Sequence, residues 1–158
     1  MRISIVTISD SVAAGQREDG SGKALAQRCR EAGWEVISTT LVADEESQIR
    51  SELSRLADSA KFDLILTTGG TGLGPRDVTP EATASVVTRQ VPGLAERMRQ
   101  AGYEKTANAI LSRSIAGVRG STLIVNLPGS PRGAVESLDA IANLLPHAIS
   151  VLHGARHD

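Results

Sequence analysis

Between Leu66 and Thr83 the chain reads LTTGGTGLGPRDVTPEAT, with glycine at four of the six positions from Gly69 to Gly74, followed by Pro75, Arg76 and Asp77. Glycine forfeits side-chain packing and costs backbone entropy, so a run of this kind implies that bare main chain must approach something closely. Consecutive N–H groups in a loop after a strand make a concavity for an anion. Arg76 and Asp77 mark the surroundings as charged, and phosphate suits them best. The P-loop is excluded, because no Gly-Lys-Ser/Thr follows the glycines. The dinucleotide fingerprint is excluded too: the third glycine is displaced, the next helix opens only at Thr79, and no acidic residue about 20 positions on ends a strand.

A second anion-binding candidate is LPGSPRGAVE, where Gly129, Ser130 and Pro131 open a helix with Arg132 in its first turn. Taken alone, that segment is also an ordinary Ser-Pro helix start. Between the two lies Ser112-Arg113-Ser114, which offers two hydroxyls and a guanidinium to a phosphate or nucleotide. Three acids, Asp10, Asp44 and Asp77, each follow an apolar run. Gathered at one rim they would repel one another unless a cation sat among them, and a hard cation such as Mg²⁺ takes carboxylate oxygen while leaving sites for phosphate. Asp44 also reads as a helix N-cap, Asp10 as an Asx turn, and Glu81 as a first-turn helix anion.

These residues need a scaffold that brings strand ends together. Ile3–Ile8 reads as a buried strand, followed by the polar loop SDSVAAGQREDGSG. Ser21–Ala32 has helical spacing and stops at Gly33; Trp34–Val42 alternates as a second strand. A helix after Asp44 carries Ile49, Leu53 and Leu56 on one face, and Asp63–Thr68 is a third strand. Thr79, as N-cap before Pro80, opens the next helix, and Pro92 opens another. Ala107–Leu111 is ambiguous. Arg113–Pro128 reads as two strands around a turn at Arg119-Gly120, and Ser130 caps one last helix that runs through Ile149. Alternating strands and helices predict an α/β fold, a single-domain three-layer sandwich with a mixed, mostly parallel sheet. In such sheets ligands bind beyond the carboxyl ends of the strands. Those ends here carry Thr7, Ser9 and Asp10, then Asp44, then the glycine loop, then Asn126 to Ser130.

Composition narrows the classes. The chain has 158 residues, 41% hydrophobic, and a net charge of −1, which predicts one domain and neither nucleic acid nor a membrane as partner. Trp34, Phe62 and Tyr103 are the only aromatics, too few for a stacking platform on single strands. Cys29 is the single cysteine, so an intrachain disulfide and a cysteine zinc site are excluded. The opening MRISIVTISD is a strand rather than a signal peptide, and a cytoplasmic location is expected.

The segments TTGGTGLGPRDVTPEAT, LSRSIAGVRGSTLIVNLPGSP and TISDSVAAGQREDGSG together resemble the Mog/MoaB family of molybdenum-cofactor proteins. The likeness runs in order through nearly all of residues 1–158, as one molybdopterin-binding domain. Its most specific part is Gly-Gly-Thr-Gly-x-x-x-Arg-Asp-Val-Thr-Pro-Glu-Ala; the related MoeA and CinA-like domains carry altered glycine loops. The resemblance implies the molybdenum cofactor biosynthesis fold, a homotrimer, other cofactor-biosynthesis proteins as partners, Mg²⁺, and ATP and molybdopterin as substrates. It implies adenylylation of molybdopterin, whose terminal phosphate attacks ATP and displaces pyrophosphate. Asp44 and Asp77 then match the catalytic, metal-holding acids. Gly69, Gly70, Thr71, Gly72, Arg76, Ser112, Arg113 and Ser114 would hold nucleotide. Thr7, Ser9, Asp10, Ser21, Pro128, Gly129 and Ser130 would line the pterin side. The alternative within the family is a non-catalytic MoaB-like carrier or scaffold; intact Asp44 and Asp77 favour the enzyme. A nicotinamide-dependent oxidoreductase is disfavoured by the loop spacing.

Overall fold

Along the first strand Ile3 and Ile5 point to one side and Val6 and Ile8 to the other, and all four are buried. A strand covered on both faces belongs in the middle of a sheet with helices above and below. The computed structural model, which describes residues 1–156, has that arrangement. Six strands, β1 (Arg2–Ile8), β2 (Glu35–Val42), β3 (Leu64–Thr68), β4 (Arg89–Gln90), β5 (Ala116–Arg119) and β6 (Thr122–Leu127), form one sheet in the order β2-β1-β3-β6-β5-β4. β1 pairs in parallel with β2 and β3, and β3 with β6; β5 is antiparallel to both β6 and β4.

The helices are α1 (Asp10–Ala13), α2 (Gly20–Glu31), α3 (Glu46–Asp58), α4 (Thr79–Val86), α5 (Pro92–Tyr103), α6 (Pro131–Ile141) and α7 (Leu145–Leu152). One core packs α2, α5, α6 and α7 against Ile3, Ile5, Leu64, Leu66, Leu123 and Val125. The other packs α3 and α4 against Val6, Ile8, Ile65 and Ile124. The three layers and the mixed, mostly parallel sheet are those expected. No helix among the described residues is long and apolar enough to cross a membrane.

Several local readings shift. The stretch after β1 contains a helical turn, α1, because the Ser9 hydroxyl accepts the Val12 N–H and caps it. The α3 N-cap is Glu45, not Asp44, and the α4 N-cap is Val78, not Thr79. The Thr79 hydroxyl instead donates to the Gly69 carbonyl at 2.9 Å. Arg119 pairs with Thr122, so the hairpin turns at Gly120-Ser121, one residue later than the pattern suggested. The last helix breaks after Ile141 into α6 and α7, with Pro146 in the first turn of α7, where its missing N–H costs nothing. Ala107–Leu111 is a short 3-10 helix.

Asn126 is a core residue rather than a rim residue. It is fully buried; its amide donates to the hydroxyls of Thr67 (3.0 Å) and Thr83 (2.9 Å), and its oxygen accepts from the Ile115 N–H. It ties β3, β6, α4 and the segment entering β5 together. Asn126→Leu, similar in volume, leaves those partners without it and is expected to lower the unfolding free energy by roughly 2–4 kcal/mol. A urea titration should show a lower midpoint with an unchanged slope.

Candidate active site

The chain leaves β1 to form β2 on one side and returns to form β3 on the other, so the order of connection reverses between β1 and β3. Such a reversal opens a crevice beyond the carboxyl ends of the two strands. Ser9 and Asp10 lie on one lip, Gly69 and Gly70 on the other. The glycines have a nearer reason than an anion. Gly69 has φ +106°, and a Cβ there would stand 2.2 Å from the carbonyl oxygen of Ile8. Gly70 has φ +67°, and its Cβ would stand 2.3 Å from Thr79 Oγ1. At Gly72 and Gly74 the space is taken by Asp77 Oδ2, 2.9 and 2.8 Å from the added atom. The bare main chain is therefore packed first against the protein itself. Asp77 is part of that packing, since its Oδ2 accepts the Gly74 N–H at 2.8 Å.

Two clefts adjoin at this loop. One, of about 470 Å³, is walled by Leu73, Ala95, Met98, Ala109 and Leu111 and edged by Thr71, Gly72, Ser112, Ser114 and Pro128. The other, of about 540 Å³, is polar and contains Thr7, Ser9, Ser21, Asp44, Gly69, Gly70, Asp77 and Gly129. Ser130 borders both, and its hydroxyl caps α6 by accepting the Gly133 N–H. The expected nucleotide residues thus divide: Thr71, Gly72, Ser112 and Ser114 edge the apolar cleft, while Gly69 and Gly70 lie in the polar one. The expected pterin residues Thr7, Ser9, Ser21 and Gly129 share the polar cleft with both acids.

Asp10 lines neither cleft. Its carboxylate grips Arg76, Nε to Oδ2 at 3.1 Å and Nη2 to Oδ1 at 3.0 Å, and Arg76 also reaches Glu45 at 2.9 Å. The rim acids therefore do not all await a metal, because Arg76 already supplies a cation to one of them. Arg113 is equally engaged. It donates to the carbonyls of Gly72 (2.8 Å) and Asp77 (2.7 Å) and pairs with Glu81. Both guanidiniums expected to hold nucleotide are engaged by groups of the protein itself.

Asp10 and Asp44 bind reciprocally: each backbone N–H donates to the other's carboxylate at 2.9 Å. That exchange, rather than a cap on α3, is what the Asp44 side chain does. Arg76 and the Asp44 N–H hold the Asp10 carboxyl below the usual carboxylate range. Burial, with the charges of Asp10 and Asp77 nearby, pushes the Asp44 carboxyl up. A raised carboxyl binds its proton more tightly folded than unfolded, so stability falls as pH rises from the ordinary carboxylate range through the folded value, and the deficit persists at neutral pH. Asp44→Asn keeps an acceptor for the Asp10 N–H. It is expected to raise the melting temperature at about pH 7 and to lose that advantage at about pH 3, below both values. Thermal melts at the two pH values read the difference.

Sequence reasoning missed Asp19 and Arg99. Asp19 lines the polar cleft, accepts from the Thr7 hydroxyl at 2.8 Å and caps α2. The Asp before a helical run was a visible signal. Arg99 lines the apolar cleft and donates to the carbonyls of Ser112 and Ser114. Only the packing of α5 on the segment before β5 could place it.

A family model described as "Probable molybdopterin binding domain" matches residues 4–147. The chain belongs to this family. Within it, the chain is 38% identical over 156 residues to a molybdopterin adenylyltransferase of Helicobacter pylori strain J99, covering 98% of this chain and 89% of the relative. It is 40% identical over 156 residues to a molybdopterin adenylyltransferase of Escherichia coli K12, covering 94% and 80%. The crystal structure of the molybdopterin biosynthesis enzyme MoaB from Thermus thermophilus superposes with a TM-score of 0.91 at 50% identity, covering 99% of both chains.

Among the described residues no group of three or more His, Cys, Asp or Glu could hold an ion by itself. Asp44 and Asp77 are hard oxygen donors on one cleft, and burial of Asp44 beside Asp10 and Asp77 pushes its carboxyl up. Two carboxylates suit Mg²⁺, which keeps several waters and takes its other ligands from substrate phosphates.

Proposed function

We propose that the chain is a molybdopterin adenylyltransferase, which moves AMP from Mg-ATP onto the terminal phosphate of molybdopterin and releases pyrophosphate. The observation that carries this reading is the position of Asp77. It lines the polar cleft, while its Oδ2 sits against Gly72 on the edge of the apolar one. Two substrates lying one in each cleft would meet beside it.

The apolar cleft suits the flat base of the nucleotide, with Ser112 and Ser114 at its edge. The phosphates would then run along Thr71 and Gly72 toward Asp77. The polar cleft suits the pterin, whose hydrogen-bonding edges would face Thr7, Ser9, Asp19, Ser21 and Gly129, which line it. Asp44 and Asp77 are the residues that would hold Mg²⁺, which when bound neutralises charge on the triphosphate and on the departing pyrophosphate. The chain needs no covalent nucleophile, because the attacking oxygen belongs to the pterin phosphate. Its own task is to align two anions that repel each other and to keep the loop rigid while they react. Arg113 supports the second task by holding the Gly72 and Asp77 carbonyls at once.

Purified chain incubated with molybdopterin, ATP and Mg²⁺ should form adenylylated molybdopterin and pyrophosphate in equal amounts. Tight binding of molybdopterin with no product would replace the enzyme reading with the carrier one. A bound-ligand structure with the base in the polar cleft would reverse the subsites and leave the reaction standing. The homotrimer implied by the family resemblance is read by light scattering.

A further inference from the structure

We infer that Arg76 and Asp10 are positioning residues for Asp44, joined in a clasp across the rim of the crevice, and ligands of neither substrate. The inference rests on the adenylyl-transfer reading for its consequence, and on geometry for its existence. Three segments distant in sequence meet here: the end of β1 through Asp10, the end of β2 through Asp44 and Glu45, and the glycine loop through Arg76. Asp10 Oδ1 accepts from both the Asp44 N–H (2.9 Å) and Arg76 Nη2 (3.0 Å), while Oδ2 takes Arg76 Nε (3.1 Å). Asp44 Oδ2 in turn accepts the Asp10 N–H at 2.9 Å. That leaves Asp44 Oδ1 as the oxygen not used in this exchange. It faces Gly70, 3.3 Å from where a Cβ on that residue would stand.

The side chains of Arg76, Asp10 and Glu45 are each about half exposed, at 54%, 47% and 48%. Exposed pairs of this kind add little to global stability. What the clasp supplies is orientation. A planar guanidinium can hold two carboxylates at fixed angles, which a lysine ammonium cannot. With Arg76 removed, Asp10 is free to rotate, the reciprocal exchange with Asp44 loosens, and Asp44 no longer presents one defined oxygen to the cleft.

The test uses Arg76→Gln, Arg76→Lys, Asp10→Asn and the double variant Arg76→Gln/Asp10→Asn in the full chain. Each single variant is expected to lower kcat about tenfold while KM for Mg-ATP and for molybdopterin moves less than about twofold. The double variant should be no worse than either single one, because both remove the same coupling. Arg76→Lys should rescue little. Amide hydrogen exchange at Asp10 and Asp44, read by NMR, should speed up about tenfold in Arg76→Gln with the core unchanged. A KM for ATP raised about tenfold with kcat retained would make Arg76 a direct phosphate ligand and overturn the clasp. So would unchanged exchange at the two amides, or losses that multiply in the double variant. If the wild-type chain forms no product, the adenylyl-transfer reading fails on its own, and the exchange measurement still decides whether Arg76 holds Asp44.

Discussion

Asp77→Asn is expected to cut turnover by about a hundredfold or more, with a melting temperature within about 2 °C of wild type. Asparagine keeps an oxygen to accept the Gly74 N–H, so the loop retains the 2.8 Å bond that shapes it. What is lost is one negative charge at the junction of the two clefts, where under the proposed reaction a metal-bound triphosphate would be held in line with its attacker. Gly72→Ala approaches the same residue from the other side. Its Cβ would stand 2.9 Å from Asp77 Oδ2, so the carboxylate must move by a few tenths of an ångström. Activity should fall while stability barely changes. Steady-state rates and melts on the same preparations separate these effects. Near-normal turnover in Asp77→Asn would remove the carboxylate from the mechanism.

Gly69→Ala is expected to be the most destabilising of the loop substitutions, by about 3 kcal/mol or more. The added methyl would lie 2.2 Å from the carbonyl oxygen of Ile8, and φ at this residue is +106°. Neither side can yield easily. Ile8 is the last residue of β1, an interior strand paired on both sides, and the Gly69 N–H is bonded to the Leu127 carbonyl at 3.1 Å. Gly33→Ala is the control: its φ is +79°, but nothing stands within 4 Å of the added carbon. That change should cost only the conformational term, about 1 kcal/mol. Urea unfolding of the two variants measures the difference. Equal losses would mean that the approach of Gly69 to β1 carries no energetic weight.

These expectations revise the first reading of the glycine run. A chain that packs four glycines after a buried strand announces a close approach, but composition does not say to what. The partners of Gly69 and Gly70 are Ile8, some 60 residues earlier in the chain, and Thr79, and the partner of Gly72 and Gly74 is Asp77. The first of these meets the loop only after β1 and β3 have paired. Asp44 illustrates the same limit. Its place just before a helical pattern matched a local capping rule, yet the Asp10 N–H arrives at 2.9 Å from across the crevice and claims its side chain.

The layer architecture was legible because its signals are local. β-branched runs of five to eight residues alternate with helical spacing, and a period can be read without knowing what it packs against. The glycine-rich loop after β3, the acids at the strand ends and the Ser130 cap were legible for the same reason. Partnership was not. Arg76 shows its charge to any reader of the chain, which fits a phosphate equally well. That it closes instead on Asp10, 66 residues away, follows from parallel pairing that puts the two strand ends side by side. A guanidinium meets whatever anion the fold brings nearest, and sequence spacing carries no record of that distance.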